Sequence, residues 1–198
     1  MLDFISTFIS GLSLGGVYAM IALGYTMVYG IAKMLNFAHG DIIMVGGYSI
    51  FVFAAQLRFD PLLSVVLAVL LCSIVGMVIE RFAYKPLRGA SPLAVLITAI
   101  GVSYLLQSLA QIIFGADNKP VKLWDLGVLT IGALSVKWST VITLILSIAV
   151  MVGLTMFINN TKTGKAMLAV SEDKGAAQLM GVNVNQTISI TFIIGSAL

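Results

Sequence analysis

Two polar stretches interrupt this largely apolar chain, and they hold the residues able to do chemistry. The first is Leu35-Asn36-Phe37-Ala38-His39-Gly40-Asp41, leading into Met44-Val45-Gly46-Gly47-Tyr48. Polar groups with apolar runs on both sides are costly, so they face a bundle interior or a water-filled path. Glycines there let the backbone open or let another chain come close. A broken helix with Asn36 or Asp41 at its N-cap fits the pattern. The plainer alternative is a cytoplasmic turn in which Asp41 only caps the next helix. A single histidine at such a place is not evidence of proton chemistry.

The second stretch is 161–185, from Thr161-Lys162-Thr163-Gly164-Lys165 to Gly181-Val182-Asn183-Val184-Asn185. It is too polar to span a bilayer and too apolar for an unattached loop. Thr163 or Gly164 starts a helix and Gly181 ends one; a second cap at Ser171 would divide it into two short helices. A helix exposing Ala, Leu and Met suits a partner's groove. The alternative is a helix on the lipid surface, but Glu172 and Asp173 oppose an anionic membrane.

Other chemistry is excluded. No phosphate-binding G-x-x-x-x-G-K-[ST] run occurs, since Gly164-Lys165 is followed by Ala. There is no H-E-x-x-H pair. One His and one Cys cannot build the usual zinc site, and Cys72 has no intrachain partner. No cofactor, metal or catalytic residue is expected. Transporter subunit, channel, intramembrane enzyme and structural subunit remain, and the enzyme class lacks a convergent His, Asp and Glu set.

The elements that position these stretches follow from composition. Of 198 residues, 60% are apolar and 10% charged, against roughly 25% charged in a soluble domain. Mean hydropathy is +1.08. A soluble domain of this length cannot bury that much apolar surface, so the class is an all-α polytopic membrane protein. The net charge of +3 includes no Lys/Arg run suited to nucleic acid.

Uncharged gaps mark the spans. They hold 29 residues between Asp3 and Lys33, 19 between Asp60 and Glu80, 28 between Arg88 and Asp117, and 24 between Lys137 and Lys162. A crossing helix needs about 20. Ile42–Leu57 has only 16, so it is a tilted or broken helix, or one starting close to the surface. A last apolar run begins near Ile188. The expectation is about five transmembrane segments plus a partial sixth, in one transmembrane domain over 1–198.

Placing the loops around Arg81-Lys85-Arg88 and Lys162-Lys165-Lys174 inside, and counting the short segment as a crossing so that Lys33 is inside too, puts seven Lys/Arg on the cytoplasmic side and four outside. The outer loop 117–137 carries Pro120 and Trp124, with Trp138 at its margin, as interfacial anchors. Leu129-Thr130-Ile131 and Leu134-Ser135-Val136 flank Gly132-Ala133 as a short hairpin. The first span has no basic n-region and is too long for a signal peptide. Its Gly11, Gly15 and Ala19, and its Ala22, Thr26 and Gly30, repeat every four positions, a spacing that lets neighbouring helices pack closely.

The run Leu35–Asp41 with Met44 and Gly46-Gly47-Tyr48 resembles the signature of branched-chain amino-acid ABC transporter permeases of the LivH type. Thr163-Gly164-Lys165-Ala166 through Glu172-Asp173, Ala176-Ala177, Leu179-Met180-Gly181-Val182-Asn183 is similar to that family's cytoplasmic coupling region. The resemblance covers nearly the whole chain and is weaker for substrate, because urea and short-amide permeases look alike at these positions.

The resemblance implies a second homologous permease subunit, two ABC ATPase subunits, an external substrate-binding protein and a small-molecule substrate, at the bilayer of the cell inner membrane. It implies that Asn36, His39, Gly40, Asp41, Gly46, Gly47 and Tyr48 line or brace the translocation path. It implies coupling to the ATPase through 161–182, with Gly164, Glu172, Asp173 and Leu179 in that segment and Ala176, Ala177 and Gly181 in the ATPase groove. Catalysis would belong to the ATPases, so this chain is not an enzyme. Family permeases are longer and carry further spans, so a truncated chain is expected.

Overall fold

The computed structural model describes residues 2–121, 127–131 and 134–198. Helix α1 runs Leu2–Ala32 and α2 runs His39–Ile50, continuing as a π-helical stretch over Phe51–Gln56. α3 is Pro61–Ile79, extended by a π-helical stretch Glu80–Tyr84 and a short 3-10 turn Lys85–Leu87. α4 is Pro92–Phe114. Strands β1 (Val128–Ile131) and β2 (Leu134–Lys137) precede α5 (Trp138–Asn160), α6 (Lys162–Glu172), α7 (Lys174–Leu179) and α8 (Val184–Ala197). The chain is an all-α polytopic membrane protein with one small hairpin.

Among the described residues, four helices are long and apolar enough to cross a bilayer: Phe4–Ala32, Pro61–Leu87, Pro92–Phe114 and Trp138–Asn160. α2 with its π extension adds 18 residues, about 27 Å of helix. α8 adds 14 residues over the last apolar run. The short apolar run 42–57 therefore belongs to one helix that starts inside the polar run, at His39.

Local chemistry sets the ends. Asp60 accepts from the Leu62 and Leu63 amides, with Pro61 at the first helical position. Ser91 caps α4 through the Ala94 amide, again followed by a proline. Asn183 caps α8 through the Gln186 amide. Expected caps at Asn36 or Asp41 are not made: Ala38 precedes α2 and no side chain caps it, because both polar side chains bond to other helices. Ser171 does not divide the 161–182 segment either; Asp173 does, accepting from the Gly175 and Ala176 amides. Thr161 caps α6, its Oγ1 accepting from the Gly164 amide at 2.9 Å, so that helix begins ahead of Thr163.

The chain divides into two compact units, Met1–Leu23 with Trp124–Lys165, and Gly24–Leu123 with Ala166–Leu198. In the first, a Cβ on Gly16 would stand 2.6 Å from Ser147 Oγ, so glycine sets the approach of α1 to α5 there. Gly164 folds so tightly onto the Ile158 backbone that a side chain would collide with it. β1 and β2 pair antiparallel with Val128 opposite Lys137 and Ile131 opposite Leu134, the expected hairpin. Its Gly132-Ala133 turn and Trp124 lie outside the described residues.

In the second unit, α3 packs on α2 and α8. Ser64, Ala68, Cys72 and Gly76, spaced four apart, form its buried face. Gly76 abuts Ser196. A Cβ on Gly195 would lie 3.2 Å from the Gly24 carbonyl oxygen, and one on Gly24 would lie 3.1 Å from the Gly195 carbonyl oxygen. α1 and α8 thus cross at a mutual glycine contact, the small-residue packing that membrane helices use.

Candidate functional site

The polar run between α1 and α2 is folded inward and held by other helices. Asn36 is 2% exposed, and its Oδ1 accepts from the Tyr84 hydroxyl at 2.9 Å. Its carbonyl oxygen accepts from the His39 amide at 3.2 Å. His39 is buried at the start of α2, its ring 6.2 Å from that of Tyr25. A Cβ on Gly24 would stand 3.0 Å from His39 Cε1, so that glycine makes room for the imidazole. Asp41 is buried and accepts from Gln107 Nε2 on α4 at 2.9 Å.

The glycines and the tyrosine of the run differ in surroundings. Gly40 and Gly47 are exposed. Gly46 faces Cys72 Sγ, 3.2 Å from where its Cβ would be. Tyr48 stacks on Phe114, with ring centroids 4.3 Å apart. His39, Gly46 and Gly47 share a cleft of about 310 Å³ with residues of α3 and α8, apolar apart from Ser196. Asn36, Gly40, Asp41 and Tyr48 are absent from its lining, so the seven residues do not all face one space.

A second polar group follows α3. Glu80 is 2% exposed. Arg88 pairs with it through Nη2 and reaches Asn185 Oδ1 through Nη1. Ser189 Oγ donates to Glu80 Oε2 at 2.9 Å. Glu80 bounds the uncharged gap in the sequence, but the helix does not end there: it continues through the π-helical stretch and turns Glu80 and Tyr84 inward. Their signal was in the sequence: both extend the four-residue spacing of Ser64, Ala68, Cys72 and Gly76.

Lys174 ties the 161–182 segment to the end of α1. Lys174 Nζ donates to the Ala32 carbonyl oxygen at 2.7 Å, one of the terminal carbonyls that α1 leaves without a helical partner. Burial, then the charges of Arg88 and Lys33, lower the Lys174 pKa. Leu179 and Met180 are 90% and 85% exposed, whereas Ala177 is 4% exposed. Ala176, Glu172 and Asp173 are exposed and Gly164 is buried. Gly181 has φ +83°, a left-handed geometry suited to glycine that ends α7. Ala177 therefore faces inward, while Ala176, Leu179, Met180 and Gly181 face outward.

Gly11 and Gly15 have no atom within 4 Å of an added Cβ, and Ala19 is half-buried. Among the described residues, close approaches of one helix to another fall at Gly16, Gly24, Gly46, Gly76 and Gly195 instead. Among the described residues, no group of three His, Cys, Asp or Glu side chains can hold a metal ion.

Long apolar helices, a polar run bonded between them and a short helix with exposed apolar residues define a polytopic membrane protein with a buried polar site. The chain belongs to the family described as branched-chain amino acid transport system, permease component, whose model matches residues 7–198. It is 37% identical to the high-affinity branched-chain amino acid transport system permease protein BraD of Pseudomonas aeruginosa, over 98% of this chain and 68% of that protein. It is 35% identical to the permease protein LivH of Salmonella typhimurium, over 100% of this chain and 68% of that one. A probable LivH of Methanocaldococcus jannaschii is 28% identical over 90% of this chain and 58% of its own length. No solved structure matches.

Proposed function

We propose that the chain is the permease subunit of an ATP-driven importer of branched-chain amino acids in the cell inner membrane. Leucine, isoleucine and valine are the substrates that the relatives' names and the family description support. The partners are a second homologous permease, two ABC ATPases and an external binding protein. Both compact units belong to one permease domain over 1–198, and the chain itself catalyses nothing.

The observation that carries this reading is the Lys174–Ala32 bond. It joins the start of α7 to the end of α1, just before Asn36. Movement of α7 under an ATPase would pull on the segment holding Asn36, His39 and Asp41. Ala176, Leu179, Met180 and Gly181 form the docking face, while Ala177 anchors it from within. Gly11, Gly15 and Ala19 supply a small-residue face for the second permease.

The test is association. Gly181→Asp forces an aspartate into the left-handed turn and places a charge on the docking face. It should abolish co-purification of the ATPases while membrane insertion stays intact. Normal association would contradict the docking assignment.

A further inference from the structure

A cleft of about 340 Å³ opens beside the end of α1. Lys33, Arg88 and Lys174 line it, with no carboxylate among its described lining residues. The rest of the wall is mostly apolar, including Leu35, Leu87, Pro92, Val95 and Leu96.

The three cations are unequally compensated. Arg88 is already paired with Glu80 and contributes its field. Lys174 has one bond to Ala32, and an ammonium carries three N–H groups. Lys33 is exposed, with φ 57° just past the last turn of α1. The lowered pKa of Lys174 reflects burial first, then the nearby charges of Arg88 and Lys33. An anion placed here would relieve that repulsion. Apolar wall beside cations, at the level where a spanning helix ends, matches a lipid headgroup above its acyl chains; basic pockets between membrane helices bind such headgroups. A phosphate ion would satisfy the lysines and leave the apolar wall uncovered.

We propose that this cleft holds the phosphate-bearing headgroup of an anionic phospholipid, with Lys33 and Lys174 on the phosphate and Leu87, Pro92, Val95 and Leu96 against the acyl chains. The lipid would bridge the end of α1 and the start of α7. The assignment does not depend on the transported substrate.

The full chain is reconstituted in nanodiscs of phosphatidylcholine with a minor fraction of phosphatidylglycerol, then washed in detergent. The lipid retained is identified by mass spectrometry. Phosphatidylglycerol should be enriched over phosphatidylcholine, and Lys33→Gln should lower that enrichment roughly five-fold, with Lys33→Arg restoring it. Lys33→Gln leaves the Ala32 bond in place, so unchanged helicity by circular dichroism accompanies the loss. Lys174→Gln should lower enrichment further. Equal retention of the two lipids, or a preference that survives both substitutions, overturns the site. Displacement of phosphatidylglycerol by millimolar inorganic phosphate, with equal protection against thermal unfolding, overturns the lipid assignment in favour of free phosphate.

Discussion

The ammonium of Lys174 donates to the carbonyl oxygen of Ala32 at 2.7 Å, across 142 residues of sequence. The bond satisfies an orphan carbonyl at the end of α1 and ties α7 to the polar run that begins at Leu35, three residues later. Lys174→Met should destabilise the folded chain by about 1 kcal/mol and reduce ATP-dependent uptake more than it reduces membrane insertion. Lys174→Arg should retain most of both. Thermal unfolding in detergent and vesicle uptake together check this; equal loss in the two variants would count against the bond.

The pH dependence of Lys174 has a definite sign. Its folded pKa lies below the ordinary 10.5, with burial the larger cause and Arg88 and Lys33 next. Between those two values the unfolded chain binds more protons than the folded one, so this group's contribution to stability rises with pH there. Below the folded pKa its penalty is fully present. Unfolding midpoints measured from pH 8 upward should therefore show an alkaline gain in the wild type relative to Lys174→Met. Parallel curves would contradict the shift.

Glu80 and Arg88 form a nearly buried pair, with Arg88 side-chain exposure 15%. Removing one partner leaves a charge in a poor environment, so Glu80→Ala should cost about 3 kcal/mol. Glu80→Met with Arg88→Met should recover much of that, because no charge is then stranded. A double variant as unstable as the single one would argue that the Asn185 and Ser189 bonds dominate.

Tyr84 reaches Asn36 across the unit, so Tyr84→Phe should destabilise by about 1–2 kcal/mol, since it leaves a buried amide oxygen unsatisfied. Asn36→Ala should cost a similar amount, and the two losses should be strongly non-additive in a double-mutant cycle. Additive losses would place Asn36 with another partner.

The spans were legible because a bilayer excludes charge, and uncharged gaps predict α1, α3, α4 and α5 within a few residues. That rule failed at Glu80, where a charge is tolerated inside because Arg88 and Ser189 receive it. The polar run was legible as a buried feature from Asn36, His39 and Asp41. Its partners Tyr84 and Gln107 were not, since bonds across 48 and 66 residues depend on which helices meet. The same holds for glycine. Gly11 and Gly15 have the packing spacing, yet Gly16, Gly24 and Gly195 make the contacts, because helix rotation decides which face meets a neighbour. The break within 161–182 was visible, but its cap was misplaced by two residues because Ser171 and Asp173 can both cap a helix.

The most direct test of transport is uptake of labelled leucine by membrane vesicles from the source cells, loaded with ATP and supplied with the external binding protein. Leucine uptake should be concentrative, need ATP, be unaffected by excess urea, and be lost when this permease is deleted. Leucine flux that persists through the permease without ATP, or uptake unchanged by its deletion, would contradict ATP-driven import.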